Sequence, residues 1–333
     1  MQNSKYLIIV TVALLSLFTK GLLAQDNVPI ATLTIGSSAN GLSLAERLGY
    51  ASDTKLLIVH ADDIGFSHSA NTATMRAFEL GPVKTGAIMV PVPWFQEIAA
   101  LVQQQSDQQQ AQFDFGVHIT LTSEWKYFKW NGVLAASEIP SLINEDGYFY
   151  TNGAEVAEHA VAEEADREAR AQIERAMAYG IEPTHLDVHN SALWGTAELF
   201  QVYLELGRDY KLPILISSDG IAKVKPDYQS MLSEDDIVLD RVIMMARDAL
   251  VENWVPEYEK LFASVEPGVT QLIIHFGFDD TELRAMAVDR PNPNAAWRQS
   301  DFDFFTSAEF KSLLDRNNIQ LITWREIRDL LRS

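Results

Sequence analysis

The side chains in this sequence that can do chemistry sit at the ends of short apolar runs. The first group is His60-Ala61-Asp62-Asp63-Ile64-Gly65. Two adjacent carboxylates after an apolar run are costly if buried and unpaired, so the pair asks for a cation, a proton donor or water. Neighbours in an extended segment point to opposite sides, so one Asp can hold a cation while the next faces elsewhere. At a strand–loop junction both can reach one pocket. A plainer role is also open, with Asp63 or Ser67 capping the helix expected over Ser69–Leu80.

The histidines narrow this. There are seven, and His60, His118, His185, His189 and His275 all fall in or at the end of expected strands. His185 and His189 flank Asp187 in THLDVH. Four apart in a strand, they share a face but stand about 13 Å apart, so they cannot share an ion unless the strand ends or bends between them. One strand histidine is ordinarily a hydrogen-bonded core residue. Three strands each carrying one, beside a fourth with an Asp pair, point to a metal site. Asp with neutral imidazole suits Zn, Mn, Fe, Co or Ni, and a shell rich in carboxylate and water suits Mg.

The elements that must position these groups alternate regularly. Strands are expected over Lys55–His60, Thr85–Val92, Phe115–Leu121, Thr184–His189, Leu212–Ser217, Ile237–Ile243, Gln271–Phe276 and Ile319–Trp324. Helices are expected over Ser69–Leu80, Trp94–Gln104, Ala154–Tyr179, Thr196–Tyr210, Val251–Ser264 and Ser307–Asn317. Strands this apolar on both faces suit a parallel sheet covered by helices. Seven or eight strand–helix repeats favour an α/β fold closed into a single distorted (β/α) barrel, whose ligands bind at the carboxyl ends of the strands. The aromatic stretch 123–153 reads either as a sugar-stacking lid or as core, and Pro and Asn make residues 288–305 read as a loop. The barrel is expected over 53–333, behind a leader segment at 25–52.

Composition removes other chemistries. With 46 Asp and Glu against 26 Lys and Arg, the net charge is −20, which argues against nucleic-acid binding. No Cys excludes disulfides, thiolate metal sites and cysteine nucleophiles. There is no G-x-G-x-x-G, Walker loop or G-x-S-x-G elbow. Residues 1–24 pair Lys5 with an apolar run from Tyr6 to Phe18 and end in Gly-Leu-Leu-Ala, which reads as a cleaved signal peptide and a periplasmic or secreted protein. Cleavage would remove two Lys and no acid, leaving −22 and no membrane anchor.

In order along the chain, HADDIGFSHSAN, GVHITLT, PTHLDVHNS and IIHFG resemble the four landmarks of the YdjC-like carbohydrate deacetylases, which include chitooligosaccharide and hopanoid-biosynthesis deacetylases. The resemblance spans about Lys55 to Trp324. It implies a barrel related to polysaccharide deacetylases, one divalent metal ion (Mg or Zn), and hydrolytic removal of an N-acetyl group from an amino sugar or oligosaccharide. Carried across residue by residue, it implies Asp63, His118 and His185 as metal ligands, Asp62 as general base and His275 as general acid. Asp187 and His189 remain for orienting a ligand or contacting substrate. This chain departs from the pattern at Asn190-Ser191 after His189 and at Phe276 after His275, which leaves substrate and acid open.

The expected partner is a small carbohydrate, not a nucleic acid, and a homodimer is left open. Two competing readings are a metal-assisted hydrolase of another amide or ester and a non-catalytic carbohydrate-binding barrel.

Overall fold

The computed structural model describes residues 41–105, 112–246, 248–290 and 294–333. The signal peptide expected over 1–24 lies outside them. Among the described residues seven parallel strands form one sheet. They are β1 (Lys55–Ile64), β2 (Thr85–Ile88), β3 (Asp114–Ile119), β4 (Leu186–Val188), β5 (Arg241–Met244), β6 (Gly268–Ile274) and β7 (Ile319–Leu321). The α-helices are α1 (Leu44–Arg47), α2 (His68–Leu80), α3 (Phe95–Gln103), α4 (Gly153–His159), α5 (Ala162–Ala178), α6 (Ala197–Tyr210), α7 (Ser218–Val224), α8 (Trp254–Ala263), α9 (Thr281–Met286), α10 (Asn294–Phe305), α11 (Ala308–Arg316) and α12 (Trp324–Arg332).

The strand order is β4-β3-β2-β1-β6-β5, and β7 also pairs with β1. The sheet curls, and its two edges are joined through residues 213–218. There Leu215 N donates to Leu186 O at 2.9 Å, and Leu239 N to Ile216 O at 2.9 Å. The strand expected over Leu212–Ser217 is thus reduced to bridges. It changes partner midway, and Pro213 has no N–H to give.

Side-chain alternation fixes what the interior holds. Leu57 and Val59 join the large core beneath the helices, while Leu56 and Ile58 join a second cluster with Val269, Trp324 and Ile327. His60 and Asp62 share the parity of Leu56 and Ile58. The polar residues of β1 therefore continue an interior column that starts apolar. The leader expected over 25–52 is partly built into this base. Ser43 caps α1 through a capping box with Glu46, and Leu44 and Ala45 are buried in the second cluster.

Two other expectations change. The helix expected over Ala154–Tyr179 breaks at Ala160–Val161, where Ser141 Oγ accepts from Val161 N at 2.9 Å. The loop expected over 288–305 is helical from Asn294 as α10. Of the aromatic stretch 123–153, Trp125, Trp130 and Phe149 are core, and Tyr127 is 73% exposed.

Candidate active site

The Asp pair is delivered by a break in β1. The strand bulges against β2 between Ala61 and Ile64, and Asp63 adopts φ +60. That conformation costs a non-glycine residue about 1–3 kcal/mol. Gly65 follows at φ +102, so close to Met89 O that a Cβ would lie 2.8 Å from it. Its N–H donates to Asn71 Oδ1 at 2.7 Å. The turn brings Asp62 and Asp63 to one cavity of about 300 Å3, also lined by His118, Glu124, Trp125, His189, His275, Arg290, Trp297 and Arg298.

β4 ends at Val188, and Asn190 and Ser191 take φ 50 and 53. This swings His189 into the cavity, its Nδ1 3.1 Å from Asp63 Oδ1 and 3.2 Å from His118 Nε2. His118 Nε2 is 3.5 Å from Asp63 Oδ1. Asp63, His118 and His189 are therefore the three that converge at the rim. His185, expected from the resemblance as a metal ligand, is not in this set but groups with His60 and Asp187 in another cluster of ligand-like spacing, and Asp62, His118 and Asp187 make a third. His185 is buried one layer deeper, with Nε2 2.6 Å from His60 Nε2 and its ring stacked on Trp324. β4 does end between His185 and His189, and the turn that follows carries His189 to the rim and leaves His185 beneath.

The histidines' other nitrogens are already engaged. His118 Nδ1 lies 2.7 Å from Asp187 Oδ1, and His189 Nε2 lies 3.1 Å from Glu124 Oε1. Carboxylates accept, so each imidazole donates outward, with Asn190 Nδ2 also 3.1 Å from His189 Nε2, and a cation that displaces the inward proton meets a lone pair. Two lone pairs and the Asp63 carboxylate then face one point, and Asp63 Oδ1 has no hydrogen-bond donor. A cation resolves that arrangement, and the donor set fits a divalent ion. Burial opposes charge on His189, but Glu124 and Asp63 outweigh it and raise the ring to about 9. The pocket's field thus favours positive charge at this point.

Beside the cluster, Asp62 Oδ1 meets His60 Nδ1 at 2.6 Å. Burial pushes its carboxyl up, but His118 and His60 outweigh that and hold it below the ordinary value. Asp63 is likewise well below its ordinary value, because Arg298 and His189 overcome burial. His275 differs. Burial, with Arg298 nearby, pushes it down to about 4 despite Asp63, and its Nδ1 is buried without a partner.

Arg298 and Glu124 are the residues the sequence reading missed. Glu124 follows the GVHITLT motif by two positions, and only its distance to His189 marks it. Arg298 belongs to α10, whose buried positions Ala295, Arg298, Asp301 and Phe305 recur every three or four residues. That is helical spacing, disguised by charge.

Fold and cluster together define a curled α/β half-barrel with a buried carboxylate–imidazole cluster, of a kind that could hold a cation, at the carboxyl ends of its strands. Residues 56–316 match the family model described as YdjC-like protein. A carbohydrate deacetylase of Thermus thermophilus is 31% identical over 297 residues, covering 87% of this chain and 100% of its own. One from Brevibacillus brevis is 27% identical over 271 residues, covering 81% and 99%. A solved chain from Enterococcus faecalis, named for cellobiose-phosphate cleavage, superposes with a TM-score of 0.67 at 24% identity, covering 82% of this chain and 99% of its own. That likeness is one of fold. The chain belongs to the YdjC-like family.

Proposed function

We propose that this protein is a metal-dependent carbohydrate deacetylase that hydrolyses the N-acetyl group of an amino sugar or oligosaccharide. The observation that carries the reading is the convergence of Asp63, His118 and His189 beside a second, independently held carboxylate, Asp62. The names of the curated relatives support it.

Asp63, His118 and His189 would hold one divalent ion, Mg or Zn. Such an ion lowers the pKa of water and polarises an amide carbonyl. Asp62 takes the proton of the attacking water, a step that contributes about 10²–10⁴-fold. His275, held near 4, has no proton to give at neutral pH in the free protein. The leaving nitrogen takes up a proton from one of the two groups beside it, Asp62 after it has accepted the water's proton or His275, whose Nδ1 has no partner. Arg298 keeps Asp63 ionised. Trp297 in the cavity wall offers ring edge to a sugar, whereas the Trp125 ring beside it is covered by the Arg290 guanidinium at 4.5 Å. The protein acts outside the cytoplasm in this reading, which rests on the apolar run and its flanks in residues 1–24.

Acetate release from a panel of N-acetylated sugars, with and without chelator, tests the activity. Asp62→Asn should bind the ion and lose turnover. Retained turnover in Asp62→Asn, or full activity under chelation, would overturn the assignment. Cleavage of other amides or esters with every sugar left intact would move the substrate to another class.

A further inference from the structure

Asp62 is the upper end of a hydrogen-bonded column inside the barrel. His60 Nδ1 meets Asp62 Oδ1 at 2.6 Å, and His60 Nε2 meets His185 Nε2 at 2.6 Å. His185 Nδ1 lies 3.0 Å from Thr184 Oγ1, which also bonds to Asp114 Oδ1. His60, His185, Thr184 and Asp114 are all 0% exposed, and neither imidazole lines the cavity. Both rings are therefore out of reach of substrate.

The column has little freedom. On one side the His185 ring stacks on Trp324, with centroids 4.9 Å apart and planes 14° from parallel. On the other, Gly116 leaves the space the ring occupies, since a Cβ there would lie 2.5 Å from His185 Nε2. Proton accounting restricts it further. Either His185 donates from Nε2 to His60 and accepts from Thr184, whose bond to Asp114 then needs the proton on that carboxyl, or a charged His60 donates to His185, which donates on to Thr184 and leaves the hydroxyl proton for Asp114. In both, His60 Nδ1–H donates to Asp62.

We propose that His60 and His185 are positioning residues that lock the Asp62 carboxylate in one orientation, engaging Oδ1 and leaving the other oxygen to the attacking water. The inference rests on the reading of Asp62 as the base, and it gives His185 a task other than metal ligation. A donor on one oxygen fixes the carboxylate plane. The stacked ring behind it keeps that donor from rotating away, which is how supporting side chains hold a reacting group to its productive geometry.

The test uses the full chain with its ion and an N-acetylated sugar it cleaves. His60→Ala should lower kcat by about 10–100-fold with KM and ion affinity by calorimetry unchanged. His60→Asn, whose amide can still donate toward Asp62, should recover most of that loss. Should His60→Ala not fold, His185→Phe reads the same split, because it keeps the stack on Trp324 and removes the nitrogen. The inference is overturned if Asp62→Asn is inactive while His60→Ala and His185→Phe keep wild-type kcat. It is also overturned if these variants lose ion affinity along with kcat and Asn rescues neither. An active Asp62→Asn is a different result, and it would fell the base assignment itself.

Discussion

Arg298 and Asp63, 235 positions apart in the chain, meet at 2.6 Å between Nη2 and Oδ2. Both are buried, and the guanidinium lies 4.6 Å above the Phe66 ring, whose residue closes the same turn that carries Asp63. A helix near the C-terminal end of the barrel thus holds the charge of a strand at its beginning.

Removing one partner of such a pair leaves a buried charge alone, which typically costs 3–5 kcal/mol. Arg298→Ala should therefore lower Tm strongly in ion-free protein, and a bound divalent ion should restore part of the loss by neutralising Asp63. Arg298→Lys should fall between, keeping the charge and losing the planar fork. Thermal melts with and without the ion check this. An equal loss under both conditions would separate Arg298 from the metal site.

The two candidate third ligands give opposite expectations. His189→Ala should abolish tight divalent-ion binding in calorimetry, and His185→Phe should preserve it, because His185 stands behind His60 and away from Asp63. The reverse ranking would restore the ligand set that the motif resemblance implies.

Glu124 meets His189 Nε2 at 3.1 Å and also receives Arg290 Nη2 at 3.4 Å. Replacing such an outer carboxylate typically costs 10–100-fold in metal affinity. Glu124→Gln should weaken ion binding by about that much with little change in Tm, since size and shape are kept. Unchanged affinity would mean His189 is oriented by its backbone and by Asn190 Nδ2, 3.1 Å from the same nitrogen.

Much of this site was legible before the fold. Asp62, Asp63, His118 and His275 reach one cavity, as their places at strand ends required, and seven of eight expected strands form. The choice between His185 and His189 was not legible. It depends on β4 stopping at Val188, and that ending comes from a turn with Asn190 and Ser191 at positive φ, which local patterning does not announce. Arg298 was hidden because α10 buries charges on the face a helix ordinarily keeps apolar, and Pro and Asn ahead of it look like a loop.

Asp301, on the same buried face of α10, accepts from His275 N at 2.9 Å, Tyr258 Oη at 2.6 Å and Trp254 Nε1 at 3.0 Å. Burial raises its carboxyl to about 7 in spite of those donors. Between the ordinary value of 3.8 and about 7 the folded protein holds one proton more than the unfolded chain. Stability from this group is therefore lost as pH rises through that window, by up to about 1.4 kcal/mol per pH unit, and is level above it. The advantage of wild type over Asp301→Asn in denaturant melts should shrink from pH 4 to pH 7. A constant difference would show that Asp301 ionises at its ordinary value.

The closure of the sheet through residues 213–218 has a mechanical consequence. β1, which carries Asp62 and Asp63, is hydrogen-bonded to β2, β6 and β7, whereas the joint between β4 and β5 hangs on isolated bridges. The cavity therefore has one fixed jaw and one compliant jaw. Hydrogen exchange should be slowest along β1 and markedly faster across 213–218. Sugars of differing bulk would then be accommodated by yielding on the compliant side, with Asp62 and Asp63 held still.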